Sequence, residues 1–245
     1  MSEVRKIALI TGANKGIGFE IARQLGVQGI TILAGVRDQA RGEEAVHKLM
    51  AEDIDANAIH LDVTNQATID AAAAFIEQTY RKLDILVNNA GISVKERGTL
   101  PSQLAFEDVL KTFATNVFGV FAITKAMLPL LHRSEAGRIV NLSSEMGSLT
   151  INGDPSSFIA NIPPTLAYNA SKTALNALTV FFAKELRDTH IKVNSVSPGY
   201  VATDLNGHSG FLTTEQGAKV PVVFATLTSD GPTGGFFGEN GMIPW

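Results

Sequence analysis

A short apolar run followed at once by three closely spaced glycines is the feature that most restricts how this chain can fold. Residues 7–10 suit a strand buried on both faces of a parallel sheet, and Gly12, Gly16 and Gly18 follow them. Helical spacing of apolar residues begins directly after the third glycine. A strand, a glycine turn and a helix N-terminus together form a backbone cradle for a pyrophosphate, whereas the alternative is a turn that merely caps a helix. We favour the cradle.

The remaining sequence alternates predicted strands with predicted helices. Further strands are expected at 30–36, 56–61, 83–87, 137–144, 191–197 and 235–237, with amphipathic stretches between them. This alternation predicts an α/β fold, in which a doubly wound parallel sheet of about seven strands has helices on both faces. No linker or repeat divides the chain, so we expect one Rossmann-type domain over residues 1–245.

Three local expectations accompany this fold. A long helical region should start at Leu100 and Pro101 and run toward Leu131, and Thr64 is the expected cap of a helix over 68–80. The segment from about 145 to 167 contains several Pro, Gly and apolar residues, which favours a structureless flap on the substrate side. The segment from about 200 to 213 is interpreted as a mobile lid.

Composition narrows the classes of function. The 245 residues carry a net charge of −4 with scattered basic residues, which predicts neither nucleic-acid nor membrane binding. There is no cysteine, and the five histidines stand far apart, so we expect no disulfide and no metal site. The N-terminus has only a short apolar run, and we expect a cytoplasmic protein.

The end of the second predicted strand indicates which dinucleotide binds. Val36 cannot accept hydrogen bonds from a ribose 2′-hydroxyl, whereas Arg37 can pair with a 2′-phosphate, and Lys15 would add a second positive charge. Asp38 either binds the 2′-hydroxyl of NAD or caps the next helix. Asp62, at the third strand end, either bonds an adenine amino group or is a turn residue. This pattern favours NADP(H).

A phenol and an ammonium four residues apart supply the first candidate chemistry. Tyr168 and Lys172 would share one face of a helix. A nearby ammonium lowers the pKa of a phenol, so the pair predicts a group that exchanges protons near neutral pH. A chance pair is the alternative. Asn116, a polar residue inside an apolar stripe, either bonds nearby backbone or serves the same site.

With these motifs in place, the chain resembles the short-chain dehydrogenase/reductase family over nearly its whole length. Residues 11–18 resemble the cofactor turn of that family, residues 88–91 its fourth-strand signature, and Tyr168 with Lys172 its catalytic Tyr-x-x-x-Lys. Lys15, Arg37 with Asp38, and the ending 231–237 look most like the NADPH-dependent carbonyl reductase branch.

The resemblance implies a set of site residues. The expected catalytic tetrad consists of Ser144, Tyr168, Lys172 and Asn116. Tyr168 is the expected general acid, and Ser144 rather than Ser143 is the expected serine. The expected cofactor-binding residues also include Tyr168 and Lys172, and the others are Gly12, Asn14, Lys15, Gly16, Ile17, Gly18, Arg37, Asp62, Val63, Asn88, Ala90, Gly91, Pro198, Gly199, Val201 and Thr203. The expected substrate pocket is formed by Ile92, Ser93, Glu145, Met146, Tyr200 and the insertion before Tyr168.

The chain departs from the family pattern in the spacing before Tyr168. The 24 positions from Ser144 to Tyr168 exceed the spacing of most members. Helices that carry Asn116 and Tyr168 usually form the dimer face in this family, and an insertion beside that face favours a monomer over a homodimer or homotetramer.

The sequence therefore predicts an NADPH-dependent reductase of ketones or aldehydes, with a small carbonyl compound as its binding partner. The first alternative is an NAD-dependent alcohol dehydrogenase of the same family. The second is a non-catalytic NADP-binding sensor, because a fold does not by itself fix a function.

Overall fold

The protein was analysed as a computed structural model that describes residues 5–94, 98–163 and 165–245. A single eight-stranded sheet lies between two layers of helices. The strands are β1 Ile7–Thr11, β2 Thr31–Val36, β3 Ala56–His60, β4 Ile85–Asn88, β5 Arg138–Leu142, β6 Lys192–Val196, β7 Phe236–Gly238 and β8 Gly241–Met242. The helices are α1 Gly16–Val27, α2 Gln39–Met50, α3 Gln66–Tyr80, α4 Phe106–Phe113, α5 Val120–Leu131, α6 Leu149–Gly153, α7 Leu166–Glu185 and α8 Thr214–Ala225.

The strand order explains why the predicted site residues gather at one edge. The sheet runs β3-β2-β1-β4-β5-β6-β7-β8, and its first seven strands are all parallel. From β1 the chain first adds strands on one side of the sheet, and from β4 it adds them on the other side. Ligands of such sheets bind beyond the carboxyl ends of the strands, at the crevice between β1 and β4. The predicted α/β fold is confirmed. The prediction omitted β8, whose two residues pair antiparallel with β7, because so short a strand leaves no periodic pattern.

Two apolar layers hold the sheet. On one face α1 and α8 pack over residues such as Ile10, Ile32 and Val140. On the other face α3, α5 and α7 cover residues such as Leu9 and Leu86. Strands buried on both faces need continuous apolar sequence, which is why β1, β2 and β4 were recognisable as apolar runs.

The long helical region is interrupted where it meets the site. Residues 101–103 form a separate turn, and a six-residue π-helix, Ala114–Gly119, joins α4 to α5. The run Phe106–Leu131 is long and apolar enough to cross a membrane, but 56% of its apolar window is buried against the protein. This run is therefore a core helix, and π-helical turns of this kind are frequent at functional sites.

Two local predictions need correction. The segment before Tyr168 is not structureless, because α6 and the 3₁₀ turn Phe158–Asn161 lie within it. Asn152 fixes its first part by donating hydrogen bonds to the carbonyls of Met146 (2.9 Å) and Ser148 (2.7 Å). Asn65 rather than Thr64 caps α3, since Thr64 is engaged by Asp62. The 200–213 segment contains the 3₁₀ turn Asp204–Asn206 and a bridge between Val201 and Leu212.

Candidate active site

The glycine turn after β1 has the geometry of a backbone cradle. Gly12 and Gly16 adopt φ values of +69° and +60°, which strain any residue with a Cβ. A Cβ at Gly18 would lie 2.5 Å from the Gly12 carbonyl oxygen and collide with the Asn89 amide. The first turn of α1 has no side-chain cap and no acidic residue, so its amide groups suit an anionic ligand. The turn therefore fits a dinucleotide pyrophosphate.

Two residues to which the sequence assigned no role fix this cradle in place. Thr11 Oγ1 accepts hydrogen bonds from the backbone N–H groups of Asn89 (3.0 Å) and Ala90 (2.9 Å). The Asn89 side chain donates to the carbonyls of Thr11 (2.8 Å) and Gly12 (3.2 Å). The ends of β1 and β4 are thus tied together. Thr11 belongs to the cofactor-turn motif and Asn89 to the fourth-strand motif. Because 78 positions separate them, no local pattern in the sequence indicates that they pair.

The charged residues expected at the cofactor ribose differ in whether they already have an ion-pair or hydrogen-bond partner. Arg37 is exposed at the end of β2 and has no ion-pair partner within the described ranges. Lys15 is ion-paired with Asp204 of the 200–213 segment. Asp38 caps α2 through the N–H of Arg41 (3.2 Å), which supports the capping alternative. Asp62 accepts hydrogen bonds from Thr64, and these bonds hold the pKa of Asp62 below its usual value against the effect of burial.

The candidate acid–base group lies at the ends of β5 and α7. Ser144 follows β5 and hydrogen-bonds with the Tyr168 hydroxyl, whereas Ser143 is buried and only reaches the Lys172 carbonyl at 3.5 Å. The Lys172 ammonium is buried over the Tyr168 ring, 5.6 Å from its centroid, and donates to the Leu142 carbonyl (2.7 Å). The structure therefore brings Ser144, Tyr168 and Lys172 together.

The proton affinities in this group differ from the sequence-based expectation. Burial raises the pKa of Tyr168, and the hydrogen bond with Ser144 opposes that rise. Lys172 was expected to lower the pKa of the phenol, but burial is the largest influence on that pKa and acts in the opposite direction. Burial also lowers the pKa of Lys172 to about 8. The prediction omitted the desolvation of both groups.

Asn116 bonds to backbone and thereby braces the site. Its amide exchanges two hydrogen bonds with the backbone of Ile92, both 2.9 Å long, and donates to Ser171 Oγ (3.0 Å). A Cβ on Gly91 would lie 3.4 Å from Asn116 Oδ1 and 3.7 Å from Lys172 Nζ. The π-helix therefore places Asn116 beside the Lys172 ammonium and the turn after β4. The backbone-bonding alternative for Asn116 is confirmed, and its role in the reaction stays a prediction.

Asn88 does not face the cofactor edge with its side chain. It is buried and donates hydrogen bonds to Thr124 (3.1 Å) and Asn141 (2.8 Å), and Asn141 in turn donates to Thr179. These polar groups link the sheet to α5 and α7 inside the core. The strand register turns this side chain inward, so any contact of Asn88 with a cofactor would involve its backbone.

The other predicted residues fall into three places. Asn14, Ile17, Val63, Ala90 and Gly91 lie in or beside the turns after β1, β3 and β4, and Pro198, Gly199, Val201 and Thr203 lie after β6. Ile92 and Ser93 line a cavity of about 410 Å³ that Asp108 and Lys111 of α4 also line. Glu145 and Met146 follow Ser144 directly in a 3₁₀ turn, while Tyr200 hydrogen-bonds with Ser209 in the 200–213 segment.

Among the predicted cofactor residues after β6, Val201 has a side chain that points into the core. It is buried, and the glycine of α8 at position 217 leaves room for it. Any contact of Val201 with a cofactor would therefore involve its backbone.

A parallel sheet with a glycine cradle beside a Ser–Tyr–Lys group defines an oxidoreductase of the dinucleotide-binding class. The family model described as short chain dehydrogenase matches residues 6–210. The chain belongs to the short chain dehydrogenase family.

Curated and solved relatives cover almost the whole chain. It is 35% identical to (-)-isopiperitenone reductase of Mentha piperita, over 97% of each chain, and 35% identical to carbonyl reductase [NADPH] 1 of Mus musculus, over the full length of both. The crystal structure of NADPH-bound carbonyl reductase from chicken fatty liver superposes with a TM-score of 0.85 at 27% identity, covering 98% of this chain and 99% of that one. These relatives confirm the predicted family and its carbonyl reductase branch.

Proposed function

We propose that this protein is an NADPH-dependent reductase of ketones and aldehydes. The observation that carries the proposal is the hydrogen bond between Ser144 and Tyr168 beside the buried Lys172 ammonium, at the sheet edge that also holds the glycine cradle. The reductases among the relatives support the same reaction class.

Each residue of the group has a distinct role in this reaction. The bound cofactor supplies a hydride to the carbonyl carbon. The Ser144 hydroxyl donates a hydrogen bond to the carbonyl oxygen as negative charge develops on it. Tyr168 transfers its phenol proton to that oxygen, which yields the alcohol and a phenolate. Lys172, whose ammonium is held by the Leu142 carbonyl, stabilises this phenolate until a solvent proton replaces the one transferred.

The choice of NADP(H) over NAD(H) rests on three side chains. The exposed Arg37 guanidinium, which is unpaired within the described residues, can pair with a 2′-phosphate. Asp38 is committed to the α2 cap and is therefore a poor acceptor for a 2′-hydroxyl. Lys15 adds positive charge, although it must first leave Asp204. Relatives named for NADPH support this assignment.

The test is reduction of a panel of aryl and alkyl ketones with NADPH deuterated at the transferable position. We expect alcohol products with deuterium on the carbinol carbon and a higher kcat/KM with NADPH than with NADH. Arg37→Ala should remove most of that preference without affecting NADH. Equal or better kinetics with NADH would favour the dehydrogenase alternative, and cofactor binding without turnover of any carbonyl would favour the sensor.

We also infer a cytoplasmic monomer. The inference of a monomer rests on the long spacing between Ser144 and Tyr168, which α6 and the following 3₁₀ turn occupy next to α7. The inference of a cytoplasmic location rests on the composition, which has no cysteine and a net charge of −4. Fractionation of cells followed by light scattering on the purified protein tests both inferences.

A further inference from the structure

Glu145 is an unpaired carboxyl group next to the proposed proton donor. It directly follows Ser144, whose hydroxyl bonds with Tyr168, and it opens the 3₁₀ turn Glu145–Gly147. Its side chain is half-buried. Within the described ranges, no hydrogen-bond donor or cation pairs with its carboxyl oxygens, whereas Asp38, Asp62 and Asp204 all have partners.

One side of this carboxyl lies near the end of β7. Glu145 Oε1 lies 3.9 Å from the position that a Cβ on Gly238 would occupy, at the end of β7. Ile243 Cδ1 lies 2.9 Å from the same position, so an apolar side chain that follows β8 also lies in this region. Burial raises the pKa of Glu145, and no neighbouring charge counteracts this rise. A carboxylate removed from water without a partner costs free energy, and such groups concentrate at functional sites.

We propose that Glu145 is a specificity residue that selects carbonyl substrates bearing a cationic ammonium group. Glu145 follows Ser144 in the same turn, so a substrate whose carbonyl oxygen bonds Ser144 and Tyr168 would lie beside the turn that carries this carboxylate. An ammonium group there would supply the missing counter-charge, and the half-buried position of the carboxyl would strengthen the attraction. The proposal rests on the ketone reductase function and adds a substrate class to it.

The test compares two para-substituted acetophenones of equal shape. One carries a trimethylammonium group and the other a tert-butyl group, so they differ in charge and in the electronic effect on the ketone. The electronic effect cancels when the ratio of their kcat/KM values is compared between the wild type and Glu145→Gln. Glu239→Gln is the matched control, because Glu239 is exposed in the adjacent hairpin turn.

We expect Glu145→Gln to lower the cation-to-neutral ratio of kcat/KM about tenfold, because the trimethylammonium group loses its attraction to a half-buried carboxylate. The ratio is the readout whatever the rate with the tert-butyl ketone alone, and Glu239→Gln should leave the ratio unchanged. An unchanged ratio in Glu145→Gln would overturn the proposal. Equal losses in both variants would assign the effect to overall charge and would overturn it as well.

A binding measurement separates this proposal from the reductase function. Calorimetry of the cationic ketone with the protein–NADP⁺ complex should give a dissociation constant that rises about tenfold in Glu145→Gln. If no ketone is turned over, the reductase function fails, and this measurement still decides the role of Glu145. An unchanged dissociation constant would contradict the cation site, whether or not the tert-butyl ketone is reduced.

Discussion

Lys15 in the glycine turn is ion-paired with Asp204, a residue 189 positions later in the segment that follows β6. The same carboxylate bonds His208 Nε2 at 2.8 Å, so Asp204 holds the 200–213 segment against the turn. Thr203 supports this contact, since its Cγ2 lies 3.9 Å from the position of a Cβ on Gly16. A 2′-phosphate would therefore compete with Asp204 for the Lys15 ammonium.

Releasing Lys15 should tighten binding of NADPH. We expect Asp204→Asn to lower the dissociation constant for NADPH roughly threefold, the effect of one exposed ion pair, and to leave NADH unaffected. Fluorescence titration with both cofactors measures this effect, and Asp230→Asn, an exposed change without contact to Lys15, is the control. Weaker binding of both cofactors in Asp204→Asn would instead show that the ion pair maintains the cleft.

The buried ammonium of Lys172 should make stability depend on pH. Burial lowers the pKa of Lys172 from 10.5 to about 8. The unfolded chain therefore binds more protons than the folded one between these values, and stability due to this residue rises with pH across that window. The change amounts to about 3 kcal/mol at most.

The Lys172→Met variant isolates this contribution. Its free energy of unfolding, from urea titrations at pH 7.5 and 10, should exceed the wild-type value by more at the lower pH. The lost hydrogen bond to Leu142 lowers the stability of the variant, so the measured quantity is the change with pH in the difference between the two proteins. A difference between the two proteins that is independent of pH would mean that Lys172 is not desolvated as the structure indicates.

A methyl group at Gly18 should disrupt the cofactor cradle. It would lie 2.5 Å from the Gly12 carbonyl oxygen and overlap the Asn89 amide that ties β1 to β4. We expect Gly18→Ala to lose about 2 kcal/mol of stability and most of its cofactor affinity. Gly153→Ala, where a Cβ would meet nothing within 4 Å, is the control for both measurements. Cofactor affinity that survives in Gly18→Ala would argue against the cradle.

The oligomeric state can be tested at exposed aromatic residues. Phe118 and Phe181 are 60% and 66% exposed, on helical segments that contact each other through Phe121 and Phe182. A monomer predicts a mass of 26.1 kDa by light scattering, unchanged in Phe181→Ser. Twice that mass, falling to the monomer value in Phe181→Ser, would show that these helices form a dimer face despite the insertion before Tyr168.

The sequence predicted the sheet and its functional edge because both depend on local patterns. Buried parallel strands are continuous apolar runs, and the glycines at 12, 16 and 18 are required by a turn that the structure confirms. The π-helix around Asn116 was not predictable, because tertiary contacts rather than periodicity decide where one extra residue enters a helical turn.

Long-range pairing explains the other differences between prediction and structure. Lys15 stays a predicted cofactor residue, but its partner Asp204 lies 189 positions later and no local pattern indicated it. The pKa of Tyr168 was inferred from one neighbouring charge, whereas burial of the whole site determines its direction. The position of Glu145 near Gly238 is a long-range contact that no local pattern indicates.

Loss of the Tyr168 hydroxyl tests the central claim most directly. We predict that Tyr168→Phe reduces kcat for ketone reduction by at least about a hundredfold, because it removes the proton donor, while the dissociation constant for NADPH stays within about threefold. Tyr80→Phe is the control. It removes a hydroxyl at the end of α3 that bonds Asn57 and belongs to none of the predicted site residues, so it should keep full activity. Wild-type turnover in Tyr168→Phe would contradict the account.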